Sequence, residues 1–143
     1  MNVSIRYYSR SGNTKKLAEA IGDYLEVPAL PVSEKLVGPT DLLFLGGALY
    51  AGGIDSSLTE FINGLFAADV KKVAIFTTSA ISKSAYPKIK ALLEAKGIKV
   101  AEKNFHCPGK FLCLHTKHPD EQDCKTVSRF AAALTMDMSD TVK

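Results

Sequence analysis

Tryptophan is absent from this 143-residue chain, and cysteine, histidine and methionine occur only three times each. Cys107, Cys113 and Cys124 are an odd number gathered in the last third of the sequence. That pattern excludes the even, spread framework of a disulfide-stapled domain and leaves reduced thiols as the expectation. Long apolar runs are missing too. The longest uncharged one, residues 42–54, is broken by Gly46, Gly47, Gly52 and Gly53 and falls short of the roughly 20 residues of a membrane-spanning helix. The first residues show no basic segment, apolar segment and small-residue cleavage site in succession, which predicts a cytoplasmic protein without a secretory signal. Nor is there a block of one charge. The 18 basic and 15 acidic residues leave a net +3, with Lys15, Lys16, Lys71, Lys72, Lys88 and Lys90 scattered, so nucleic-acid binding is not expected. What remains, 46% apolar and 23% charged, is the composition of one compact domain over residues 1–143, long enough to bury its own core.

Periodicity supplies the element order. Val3, Ile5 and Tyr7 make a short apolar strand bounded by a Ser/Gly/Asn cluster, and Leu17, Ala18, Ile21 and Leu25 then recur at helical spacing. Residues 27–32 hold two prolines and allow at most a short edge strand. Residues 41–46 are continuously apolar after Asp41, as in a strand buried on both faces. Ser57 and Glu60 fit a capping box for a helix with Leu58, Phe61, Ile62 and Leu65 inward. Residues 72–76 read as the next strand and 77–84 as a polar loop. A helix with Ile89, Leu92 and Leu93 follows, ending in a basic last turn and a Gly97 cap. Residues 98–105 alternate as a fifth strand. Pro119 and Asp120 introduce a last helix with Cys124, Val127, Ala131 and Leu134 on one face, and residues 135–143 read as a frayed polar tail. Strands alternating with helices predict a three-layer α/β/α sandwich with right-handed crossovers and no internal repeat.

Such sheets bind ligands beyond the carboxyl ends of their strands, which directs attention to three loops. The first contains Ser9, Arg10, Ser11, Gly12, Asn13 and Thr14 between strand and helix. Backbone N–H groups there, those of the helix's first turn and the positive end of the helix dipole converge on an anion. The alternative is an ordinary polar strand-to-helix turn with a Ser or Asn cap. No Gly-Lys-Ser/Thr ending makes a nucleoside-triphosphate loop, and no Gly-x-Gly-x-x-Gly receives a dinucleotide. A mononucleotide fits better. Acidic residues at the end of strand one and a cysteine in the loop are both absent, which excludes a receiver domain and a low-molecular-weight phosphatase.

The run from Ile5 through Tyr7, Tyr8, Ser9, Ser11, Gly12, Asn13 and Thr14 to Ala18 resembles the FMN-phosphate signature of the flavodoxin family, and the element order matches along nearly the whole chain. Arg6 departs from the apolar residue usual there. The resemblance implies a flavodoxin-like five-stranded parallel sheet of order 2-1-3-4-5, FMN as cofactor, and two further loops against its ring. In the loop after strand three, Ala48, Leu49, Tyr50, Ala51 and Gly52 would cover one face, with Tyr50 stacking and Ala51 or Gly52 turning a carbonyl toward the flavin N5. Tyr50 could instead pack only against the following helix. Thr78, Ser79 and Ala80 would line the other side with small hydroxyls and backbone donors. Tyr86 belongs to the next helix.

The implied function is an electron carrier working with redox partner proteins through a partly exposed flavin. An FMN-dependent oxidoreductase acting on a quinone or other small acceptor, of the protoporphyrinogen oxidase kind, is the alternative, and a flavin-free interaction module the third. The lack of tryptophan and a pI near 8.7 depart from classical flavodoxins. His106, Cys107, Cys113, His115, His118 and Cys124 invite a metal site, but Cys107 and Cys113 lack the Cys-x2-4-Cys spacing of structural zinc, so none is expected. Lys110 or Phe111 could instead touch a partner above the flavin. No catalytic residue is assigned.

Overall fold

The computed structural model describes residues 1–50, 53–79, 84–108 and 121–142, with the backbone alone at 79, 108 and 139–142. The elements run β1 (Val3–Tyr7), α1 (Asn13–Leu25), β2 (Ala29–Pro31), β3 (Thr40–Leu49), α2 (Ser56–Asn63), β4 (Val70–Ser79), α3 (Tyr86–Glu94), β5 (Phe105–Pro108) and α4 (Glu121–Val142). The five strands form one parallel sheet in the order β2-β1-β3-β4-β5.

Alternation along β3 and β4 builds two cores. Leu42, Phe44, Ala74 and Phe76 meet α1 and α4 on one face, while Leu43, Leu45, Val73 and Ile75 meet α2 and α3 on the other. On β1 the same alternation places Ile5 and Tyr7 toward α1 and α4. On its other side stand Ser4 and Arg6, paired in register with Leu43 and Leu45. A parallel crossover ordinarily needs a dozen or more residues and carries a helix. The connection from β2 to β3 has only residues 32–39 and contains no helix, so β1 is covered on this side by a loop. Arg6 is what holds that loop down. Buried to 7% exposure, it donates from Nε to the Glu34 carbonyl at 2.6 Å, from Nη2 to the Lys35 carbonyl at 3.1 Å and from Nη1 to the Ile5 carbonyl at 2.9 Å. Burial lowers the Arg6 pKa, opposed by the Glu34 charge.

Five boundaries differ from the sequence-based expectation. The α2 cap is Asp55, whose carboxylate accepts the Ser57 N–H at 2.8 Å, so Ser57 lies inside the helix. β4 continues through Thr77, Thr78 and Ser79 because the buried hydroxyls of Thr77 and Thr78 find partners on neighbouring elements. α3 stops at Glu94 with no basic residue in its last turn, although Gly97, at φ 76°, does close it: Ile98 N–H bonds the Leu93 carbonyl and Gly97 N–H that of Glu94. Instead of a continuous strand over 98–105, Val100 makes an isolated bridge to Val73 and β5 resumes at Phe105 opposite Phe76. More residues lie between those points on this chain segment than on β4, so the excess bulges out. At the far end, α4 runs through Val142 with Met138 buried against the first core, where a frayed tail was expected.

Candidate functional site

Parallel register aligns Tyr7 with Gly46 and Gly46 with Phe76, so the loops after β1, β3 and β4 leave the sheet side by side. In the first, Gly12 takes φ 92°, a left-handed conformation open to glycine at little cost. Ser9 Oγ accepts the Gly12 N–H at 2.9 Å and so folds the loop, while Ser11 is exposed. α1 then begins at Asn13 without a side-chain cap. Its first-turn N–H groups and the positive end of its dipole are therefore available to an anion. Thr14 is used differently. It is buried, its Oγ1 lies 2.8 Å from Thr78 Oγ1, and the two hydroxyls tie α1 to the end of β4.

The second loop folds back on the first. Ala48 is buried and Leu49 half-buried at the end of β3. Tyr50 and Gly53 exchange backbone hydrogen bonds, at 2.6 and 3.0 Å. The Tyr50 hydroxyl accepts the Arg10 N–H at 3.2 Å, and Tyr8 meets the Tyr50 ring edge-on at 6.3 Å. The Arg10 guanidinium lies over the same ring, 3.9 Å from its centroid, and donates to Asp55 at 2.8 Å. Arg10 and the Ser57 N–H together hold the Asp55 carboxyl at about 2. Burial pushes the Tyr50 phenol up. Ala51 and Gly52 lie outside the described residues.

Along the third wall, Thr77 and Thr78 are buried, and Ser79 pairs in register with Leu49; Ala80 lies outside the described residues. Thr77 Oγ1 is 2.8 Å from His106 Nδ1 and 2.9 Å from Ser84 Oγ. Burial pushes the His106 imidazole pKa down, favouring its neutral form. Cys107 is buried in β5, whereas Lys110, Phe111, Cys113, His115 and His118 fall outside the described residues. Tyr86 opens α3, its hydroxyl donating to the Ala101 carbonyl at 3.1 Å.

The structure thus brings Ser9, Arg10, Ser11, Gly12, Asn13 and Thr14 together with Tyr50 and Thr78 at one end of the sheet. Sequence reasoning missed Asp55 as the residue joining the first loop to α2. An Asp directly before two serines is an N-cap signal, which the competing Ser57/Glu60 pattern hid.

The family model of the flavodoxin domain matches residues 4–138. No curated protein matches the chain. Among solved structures, it is similar to a flavodoxin from the Archaea at TM-score 0.81 and 18% identity, over 97% of this chain and 99% of that one. It is also similar to flavodoxin 2 of Bacillus cereus, at TM-score 0.73 and 20% identity over 96% and 99% of the two chains. The flavodiiron protein of Giardia intestinalis matches at TM-score 0.72 and 13% identity, over 95% of this chain but 36% of its own length.

Proposed function

The chain belongs to the flavodoxin family, and from that premise we propose that it binds FMN at the three-loop end of the sheet and serves as an electron-transfer protein. The observation that carries this reading is the uncapped start of α1 beneath a glycine at φ 92°, in the loop whose residues bear the family signature. A phosphate dianion suits that arrangement: first-turn N–H groups and the helix dipole supply positive potential, Ser11 adds an exposed hydroxyl, and Gly12 lets the backbone approach. Bound there, FMN would supply one- and two-electron redox chemistry. Tyr50 and the ends of β3 and β4 supply the walls for its ring, and the Arg10–Asp55 pair fixes the first loop to the start of α2. Thr14 and Thr78 brace two walls through the one hydrogen bond between their hydroxyls.

A carrier and an oxidoreductase acting on a small acceptor would share this site, and the net +3 charge favours weighing the second. Both are tested in one experiment. The purified protein is titrated with FMN and with riboflavin, then reduced anaerobically. The expected result is FMN binding at least about tenfold tighter than riboflavin, a difference of about 1.4 kcal/mol, reduced by Ser11→Ala. A persistent one-electron-reduced spectrum identifies a carrier, and turnover with a quinone an oxidoreductase. Absence of any FMN binding overturns the proposal in favour of an interaction module.

A further inference from the structure

Where the short β2–β3 connection leaves β1 without a helix, a groove of about 1140 Å3 runs along the sheet. Residues 32–38 form one lip, α2 and the segment after it form the other, and the first loop closes one end. Val32, Leu36, Phe61 and Leu65 line it with apolar surface. Phe66, at 65% exposure, stands on the α2 lip. It is one of the five large apolar side chains left exposed among the described residues. An apolar knob and an apolar hole therefore sit on one surface.

The lips also differ in charge. Lys35 lies on one and Lys15 beside it at the loop end, whereas Glu60 and Asp69 lie on the other. None of the four takes part in an ion pair among the described residues. A two-fold axis brings each patch against itself, so that residue i meets residue j and j meets i. With that axis running along the groove, the basic lip of one copy faces the acidic lip of the other, and Phe66 of each meets the other's groove. A partner of uniform charge would satisfy only one lip.

We propose that this groove is the interface of a homodimer, with Phe66 seated between the lips of the second copy and Lys35 facing Glu60 across the axis. Exposed aromatic anchors in a desolvated centre carry most of such an interface's energy, and the charges set its register. Phe66, Lys35 and Glu60, on which the inference rests, lie outside the three-loop site, although the first loop closes one end of the groove.

Sedimentation equilibrium of the whole protein as purified tests it. The expected result is a monomer–dimer equilibrium that Phe66→Asp weakens at least about tenfold. Lys35→Glu and Glu60→Lys should each weaken it several-fold, and the double variant should recover most of the loss. All three residues are exposed, and unchanged circular dichroism and thermal melting would show that each variant still folds. A wild type that stays monomeric up to about 1 mM overturns the proposal and leaves the groove to a different protein. So does a dimer that neither Phe66→Asp nor the charge reversals disturb, which would lie on another surface.

Discussion

The two faces of the sheet are built to different standards. Under α1 and α4, the core runs unbroken from Ile5 to Phe105 and Met138, and Thr78, polar and facing α1, is bonded to Thr14. Under α2 and α3, the core stops at β3, and β1 presents Ser4 and Arg6 to a loop. One face is closed by side-chain packing. The other is finished with hydrogen bonds to backbone carbonyls, and that is why a residue as costly to bury as arginine is tolerated there: its donors satisfy carbonyls that a short connection leaves over.

Phenylalanine truncation puts the contrast most starkly. Phe76→Ala on the closed face should cost about 3–5 kcal/mol of stability, whereas Phe66→Ala on the open one should stay within about 0.5 kcal/mol in a dilute, dissociated sample. Urea denaturation measures both, and a small loss at Phe76 would break the comparison. Arg6→Met is the next largest effect. It keeps the side chain's length but strips donors from the Glu34, Lys35 and Ile5 carbonyls, at an expected cost of about 1–3 kcal/mol. Hydrogen exchange should then accelerate in residues 32–39 and leave α1 unchanged.

The smallest effect is electrostatic and lies where the open face meets the site. Asp55 has its carboxyl depressed from 3.8 to about 2 by Arg10 and the Ser57 N–H. Its ionised form is therefore favoured in the folded state. The stabilisation is complete above the unfolded value and disappears as pH falls through about 2. Asp55→Asn should lower the melting temperature slightly near neutrality, and the gap from wild type should narrow below roughly pH 4. A gap that stays constant with pH would show that the carboxylate acts only as a hydrogen-bond acceptor.

These differences also explain what could be read from the amino acids. Strand and helix order were legible because Leu42 to Leu45, and the spaced apolar residues of α1 and α2, face a core that demands a period. The first loop was legible because its glycine, amide and hydroxyls have few other uses in that order. Thr77 and Thr78 were not recognisable as strand, since their hydroxyls are satisfied by Ser84, His106 and Thr14, contacts made across distant sequence. Arg6 stood out as an anomaly, but its explanation lies in a missing helix, a property of the β2–β3 spacing rather than of the residue itself. The start of β5 was missed because alternation continues through residues that bulge away from the sheet.

The sheet's borders carry one more consequence. β2 has three residues and ends on Pro31, and β5 has four and ends on Pro108. A proline offers no N–H to an incoming strand, and so short a border offers little template for one. Among the described residues, neither margin presents a long row of N–H groups on which strand-by-strand growth could begin.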